Sequence, residues 1–472
     1  MDRGNRYRKY LVFFVVSLAL FMSSVDSTIV ATALPVIERS LRADLNWAGW
    51  VITAYQLMTL TIMPLMGRIS DEWGRKRIFM ACVVVFTVSS MLCALSPNIY
   101  FLILFRFLQA LGGGSFMPSA TGIVGDYFQE NRSQAIGLFT SIFPLGGIIG
   151  PALGGWILDV AGWKAIFLVN VPIGCLVLLL SQFLLEADPQ FRRTRVDFPG
   201  AALFAGMMLS IMYFMTRLGE QPGSLASWNS WIWPAVAVLF FVLFLYREST
   251  AAAPILDLSL LKTPAFAVIN GLNLIYGACI FGLMAFIPYF GQVTYGMSSL
   301  VSGTLLTARA LGMMGMSTVT SMLLNRTGYR LPMTAGFLVL ALTTLGLNPY
   351  WRPPAILGRA IPTFWWLAAL IFVSGMGVGM ASPSSNNAAI ELMPEKISAI
   401  TGLRGMFRQT GGVIGTAGIV LVLSHFPDKV AGFRTVFLGM STLLLLAMPL
   451  IRLVPDGRRA AAVGGRGKGI EV

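Results

Sequence analysis

Long apolar runs separated by short polar connections occupy nearly the whole chain, and their spacing is its dominant pattern. Fourteen runs stand out, at 10–32, 47–67, 77–97, 101–124, 134–158, 164–185, 198–217, 231–246, 264–290, 299–322, 332–348, 363–388, 402–424 and 434–452. A helix that crosses hydrocarbon needs about 20 apolar residues, whereas a buried core helix usually stops after about 10 to 14. Only helices and closed barrels satisfy every backbone group inside a bilayer, and these runs lack the alternation of barrel strands. The pattern predicts an all-α, polytopic membrane protein with fourteen transmembrane helices. The first run leads into a charged connection and a second run with no small-residue cleavage site, so it reads as a retained helix rather than a signal peptide.

Composition supports this reading. Hydrophobic residues make up 56% of the 472 positions and charged residues 11%, far below the roughly 25% charge of soluble domains. Most Lys and Arg residues fall on one side of the membrane when the N-terminus is placed inside, which puts both termini in the cytoplasm of a cell bounded by this inner (plasma) membrane. All tryptophans except Trp73 then lie near outer ends, as half of an interfacial belt would. The net charge of +14 is explained by arms beside the spans, Arg3 to Lys9, Arg192 to Arg195 and Arg452 to Lys468, which suit topology and anionic lipid and argue against nucleic acid.

Several chemistries are excluded. Cys82, Cys93, Cys175 and Cys279 are scattered through apolar runs without paired spacing, so neither a disulfide framework nor a metal site is expected. His425 is the only histidine, and no phosphate-cradling glycine loop occurs. No cofactor and no enzymatic activity are expected.

The chain divides into an N-terminal six-helix bundle (1–190), a linker with two extra transmembrane helices (191–262), a C-terminal six-helix bundle (263–455) and a cytoplasmic tail (456–472). Asn325-Arg326-Thr327-Gly328-Tyr329-Arg330 faintly echoes Asp71-Glu72-Trp73-Gly74-Arg75-Lys76. Internal repeats of helical bundles are a common construction of secondary transporters.

The segment Gly67-Arg68-Ile69-Ser70-Asp71-Glu72-Trp73-Gly74-Arg75-Lys76-Arg77 resembles the G-x-L-x-D-R-x-G-R-K loop between the second and third helices of the major facilitator superfamily, with Ile69 for Leu and Glu72 for Arg. The fourteen-span count is similar to the drug:proton antiporter branch of that superfamily, and the likeness covers nearly the whole chain. It implies two six-helix bundles plus two central helices. In the loop, Gly67 and Gly74 would allow turning and close approach, Asp71 would sit against a helix N-terminus, and Arg75 would pair with Asp126 at the end of the fourth span. The resemblance makes Gly67, Asp71, Gly74, Arg75, Lys76 and Asp126 a conformational latch; a topology-setting basic loop is the plainer alternative.

Arg106-Phe107-Leu108-Gln109-Ala110 resembles the family's R-x-x-Q-G, with Ala110 at its glycine. An arginine deep in a span costs about 2.5–3.5 kcal/mol on insertion scales, so Arg106 is expected to face the central cavity and tune a nearby proton carrier. That carrier is Asp26, in Val25-Asp26-Ser27-Thr28-Ile29-Val30-Ala31-Thr32-Ala33-Leu34-Pro35, which looks like the first-helix signature L-D-x-T-x-x-N-x-A-L-P. Asp26, Arg106 and Gln109 form the expected coupling site, the other reading of Asp26 being a cap at a helix break near the outer surface. Gly146, Gly150, Pro151, Gly154 and Gly155 resemble the antiporter motif G-x-x-x-G-P-x-x-G-G, and Gly146, Gly150 and Gly154 share one helix face that would admit a close neighbour. Trp163 to Gly174 is similar to W-R-W-I-F-x-x-N-x-P-x-G. Arg309, Arg408 and Gln409 fall where relatives carry R-x-x-G and R-Q-x-G-G, and are expected to line a cavity.

The resemblance thus implies a proton-coupled multidrug efflux transporter working by alternating access on amphipathic, often cationic, small molecules. Protons, the lipid bilayer and the substrate are the expected partners, with a periplasmic adaptor left open. The alternatives are a proton-coupled importer of a small solute and a membrane sensor that does not transport.

Overall fold

The computed structural model describes residues 3–186, 196–220, 228–251, 254–256, 258–351, 355–356, 359–392 and 397–456. The basic arm Arg192 to Arg195 and nearly all of the expected tail lie outside them.

All fourteen apolar runs are helical. They are α1 (Tyr7–Ser40), α2 (Leu45–Trp73), α3 (Arg75–Ala94), α4 (Ile99–Tyr127), α5 (Gln134–Ala161), α6 (Ala165–Leu184), α7 (Phe198–Glu220), α8 (Ser230–Thr250) and α9 (Pro264–Tyr295). After these come α10 (Ser299–Thr327) and α11 (Arg330–Gly346). The last three are α12 (Thr363–Leu392), α13 (Ile400–His425) and α14 (Lys429–Leu453). Between α11 and α12, a two-residue strand β1 (Ala355–Ile356) pairs antiparallel with β2 (Arg359–Ala360).

Twelve of the helices among the described residues are long and apolar enough to cross a membrane, rather than the fourteen expected. The two that fall short do so for different reasons: α11 has only 17 residues, and the 29-residue α10 is diluted by Ser, Thr and Gly and by a mid-helix Arg309. Many large apolar side chains point outward, among them Val88, Leu104, Leu179, Phe183 and Leu446, which is the surface that hydrocarbon requires and water does not tolerate.

The chain forms two compact units. Unit 1 comprises 1–255, 284–304 and 416–425; unit 2 comprises 256–283, 305–415 and 426–472. In unit 1, α1 and α5 lie in backbone contact because glycines clear the way. A Cβ at Gly146 would meet Ser24 at 2.5 Å, and one at Gly150 or Gly154 would come closer still to Thr28 Oγ1 or Ile29 Cγ1. Gly155 looks elsewhere, onto the backbone of Ser299 and Leu300. The pair α7 and α8 packs through Phe204 on Phe244 and Tyr213 on Trp233, and it docks on α2, where Trp50 Nε1 donates to Thr216 Oγ1 at 2.8 Å and Trp47 Nε1 to Glu220 Oε1 at 2.6 Å. The segment 284–304 joins the unit through Tyr289 Oη, which donates to Glu38 Oε2 at 3.0 Å, and Gln292 Nε2, which donates to the Thr32 carbonyl at 2.9 Å.

Unit 2 uses the same device twice. Gly277 and Gly411 let α9 and α13 touch, facing the carbonyls of Arg408 and Leu274, while Gly312 and Gly375 let α10 and α12 touch, facing those of Phe372 and Arg309. Small residues at helix crossings are the expected packing solution where lipid supplies no hydrophobic drive between helices.

Candidate functional site

Asp26 lies midway along an unbroken α1, so it does not cap a helix break. Its carboxylate is fully buried, at 1% exposure for the residue, and three donors from two other helices converge on it. Arg106 Nη1 of α4 donates to Oδ2 at 2.6 Å, Gln109 Nε2 to Oδ1 at 2.9 Å, and Asn170 Nδ2 of α6 to Oδ1 at 2.8 Å. Arg106 also donates to Gln109 Oε1 at 2.6 Å and to the Val51 carbonyl of α2 at 3.1 Å, and its guanidinium lies 4.1 Å from the centre of the Tyr55 ring. Gln109 is steadied by Ser90 of α3, which accepts from Nε2 at 2.7 Å. Tyr55 Oη and Ser23 Oγ are 3.1 Å apart, and Ser23 donates to the Gly113 carbonyl.

The expected trio Asp26, Arg106 and Gln109 is thus brought together, but not on the wall of an open cavity. Arg106 is 1% exposed, because its charge is answered inside the bundle by a carboxylate, an amide, a carbonyl and an aromatic face. The helix contacts explain the placement: Ser24, Val25, Thr28 and Ile29, which flank Asp26, are the residues pressed against the glycine face of α5. Sequence reasoning missed Asn170, Ser90 and Tyr55 as members. Asn170 had a signal, as the polar residue inside an apolar run within Trp163 to Gly174; Ser90 and Tyr55 had none that spacing could reveal.

The junction of α2 and α3 departs from the expected loop. Nothing between Gly67 and Trp73 breaks a helix, so α2 continues to Trp73, and the connection is Gly74 alone, at φ 93°. Only glycine takes that backbone without strain. Gly67 sits within the helix with its nearest neighbour, Pro118 Cβ, at an ordinary 3.8 Å, so neither turning nor close approach explains it. Asp71 does not cap α3. Its Oδ1 accepts from Arg75 Nε at 3.0 Å and Nη2 at 2.9 Å, while Arg75 Nη1 donates to Asp126 Oδ2 and to the Gly122 carbonyl. The expected pairing of Arg75 with Asp126 is present. Lys76 Nζ donates to the carbonyls of Gln182 and Leu185, at the C-terminal end of α6, where a cation complements the helix dipole.

In unit 2, Arg309 is buried and Arg408 and Gln409 are half-buried. No group of His, Cys, Asp and Glu among the described residues is arranged to hold a metal.

The chain matches the model of the Major Facilitator Superfamily over residues 16–416 and again over 272–469. It is 30% identical to the multidrug transporter protein MdtP of Bacillus subtilis over 89% of this chain and 76% of that protein. It is 28% identical to the riboflavin transporter RibZ of Clostridioides difficile over 87% of each. Among solved structures, a mutant form of the nucleoside transporter NupG superposes with a TM-score of 0.68 at 12% identity, covering 94% of this chain and 99% of that one.

Proposed function

The chain belongs to the major facilitator superfamily, and from that premise, a multi-pass membrane transporter and not an enzyme, we propose that it is a proton-coupled efflux transporter. It exports amphipathic small molecules across a bacterial inner membrane by alternating access. In this reading all fourteen helices span, including α10 and α11, with both termini in the cytoplasm; α1–α6 and α9–α14 are the two six-helix bundles, and α7 and α8 are the insertion. The observation that carries the proposal is the Asp26 cluster, a dry carboxylate whose every partner is a donor.

A proton reaching Asp26 from outside neutralises it and turns one of its oxygens from acceptor to donor. The ion pair with Arg106 is then lost, Gln109 and Asn170 must find other acceptors, and the packing of α1 against α4 and α6 has a second arrangement. Release of the proton to the cytoplasm restores the pair. Each proton entering down the electrical gradient supplies about 2.3 kcal/mol per 100 mV. The Asp71, Arg75 and Asp126 cluster, with Lys76 tying α3 to the end of α6, acts as the latch that favours one of the two arrangements. A cationic cargo has no open carboxylate at Asp26, since Arg106 already occupies it.

Efflux is supported by the multidrug relative; the riboflavin transporter among the relatives favours a second reading, uptake of a small metabolite. Reconstitution in liposomes with an imposed pH gradient and a fluorescent amphiphile tests both direction and coupling. Movement toward the acidic compartment, lost on collapsing the gradient and in Asp26→Asn, is expected. Equal movement without a gradient ends the coupling proposal, and accumulation in the opposite direction selects uptake.

A further inference from the structure

Among the described residues of unit 2, buried positive charge is not neutralised by acidic side chains. Arg309 of α10 is 2% exposed and Arg404 of α13 is 6% exposed, and Arg408 lies one turn beyond Arg404. The described acids of the unit, Glu391, Asp428 and Asp456, are none of them buried; Asp428 caps α14 and Asp456 accepts from the Tyr329 backbone. Among the described residues, Arg309 Nη1, Arg404 Nη1 and Arg408 Nε are shielded from solvent and without a hydrogen-bond partner.

The three lie on helices that pack within unit 2, Arg309 opposite Gly375 of α12 and Arg408 opposite Gly277 of α9 through their backbone carbonyls. Tyr276 of α9 is within electrostatic reach of all three guanidiniums, and Arg408 is within repulsive reach of Arg404. Arg404 Nη2 donates to Ser385 Oγ of α12 at 3.0 Å, and Asn273 Nδ2 donates to the Arg404 carbonyl at 2.5 Å. Tyr276, Ser385, Asn273 and Ser382 line a small cavity whose remaining walls are apolar. Arg408 also lies 5.6 Å from the centre of the Phe281 ring, so an aromatic surface adjoins the charged one.

An unanswered buried charge costs several kcal/mol, and a guanidinium, unlike a lysine amine, does not shed its proton to escape that cost. Its planar fork matches a carboxylate, sulfonate or phosphate, and its flat face matches an aromatic ring. We infer that Arg309, Arg404 and Arg408 form an anion-binding site in unit 2, which takes the acidic headgroup of an amphipathic organic anion whose apolar body packs on Phe281. As cargo recognition this rests on the transporter reading; as a binding site it stands apart from it.

The test uses the full chain purified in neutral detergent, with no gradient, and four naphthalene probes differing only in headgroup: 2-naphthoate, 2-naphthalenesulfonate, uncharged 2-naphthamide and a naphthylmethyl trimethylammonium. Calorimetric titration should show the two anions binding and the amide and cation at least about tenfold weaker, the scale of one lost charge-assisted hydrogen bond. Arg309→Gln and Arg404→Gln should each weaken naphthoate binding by a similar factor, and neither should lower the melting temperature of the probe-free protein. If either fails to fold, the arginines are structural and the site is overturned, unless half-buried Arg408→Gln, which leaves the other two in place, folds and still loses naphthoate binding. Equal binding of the cation and the anions overturns it, as does naphthoate binding that survives all three variants. Displacement of naphthoate by dioctanoyl phosphatidylglycerol at lower concentration than by free phosphate would overturn the cargo reading in favour of a lipid site. Asp26→Asn should keep anion binding while losing proton-driven transport, so failure of the coupling proposal and failure of this site give different results.

Discussion

Arg106 in unit 1 and Arg309 in unit 2 are equally dry, at 1% and 2% exposure, yet they are treated in opposite ways. Arg106 meets a carboxylate, an amide oxygen, a backbone carbonyl and a tyrosine face; Arg309 keeps a nitrogen with no partner among the described residues. An arginine holds its charge at any relevant pH, so burying one obliges something else to supply the negative charge. In unit 1 the fold supplies it, and only a proton can take it away. In unit 2 the obligation is left to a molecule that comes and goes.

The contrast is broken most directly by Arg106→Ala. Removing one partner of a buried ion pair strands the other, at a cost of about 3–5 kcal/mol, so denaturant unfolding of the full chain in detergent should show a large loss, whereas Arg309→Gln should show none. Comparable losses at both positions would erase the distinction.

A second, smaller effect sharpens it. Asn170→Ala deletes one hydrogen bond to the Asp26 carboxylate, worth about 1.5–3 kcal/mol for a charged acceptor, and should slow gradient-driven transport without altering naphthoate binding in unit 2. Transport at the full rate would remove Asn170 from the coupling site.

Overpacking reaches the same carboxylate from behind. Gly150→Val places methyl groups where an added Cβ already collides with Thr28 Oγ1, and such a clash costs about 1–3 kcal/mol. The same unfolding assay should register it, while Gly147→Val, where an added Cβ meets nothing within 4 Å, should be silent.

The smallest stability change belongs to Arg75→Ala. Asp71 and Asp126 are 44% and 53% exposed as side chains, and pairs that wet contribute about 0.2–1 kcal/mol. Stability should scarcely move, yet labelling of single cysteines placed on either side of the membrane should report altered accessibility if the cluster is a latch.

What the sequence discloses and what it withholds follows from the range of the forces involved. Helices are legible because hydrocarbon demands continuous apolar runs, and all fourteen runs are helices. Whether α10 and α11 span is not, because α10 is diluted by polar residues and α11 is only 17 residues long, and packing against neighbouring helices decides what such helices do. The α2–α3 junction reads as a loop because its charges suggest solvent, although only Gly74 in that stretch interrupts a helix. Asp26 and Arg106 stand out through the cost of charge in an apolar run. That three donors share Asp26, from positions 80, 83 and 144 residues away, depends on helix contacts that no local spacing encodes. The scarcity of acids in the second half is visible as composition, but that none of the described ones pairs with Arg309 matters only once the residue is known to be buried.

The glycine face of α5 sets a limit on how this chain can change. Because Ser24, Thr28 and Ile29 of α1 rest directly on the backbone of α5 where Gly146, Gly150 and Gly154 carry no side chains, the distance from that backbone to Asp26 is set by the absence of Cβ atoms on α5. Adaptation to new cargo through Gly146, Gly150 or Gly154 would displace the carboxylate from its donors before it reshaped a binding surface. Tolerated variation should therefore gather on α9, α12 and α13 and spare the seam between α1 and α5, a pattern that deep mutational scanning under selection for transport would reveal.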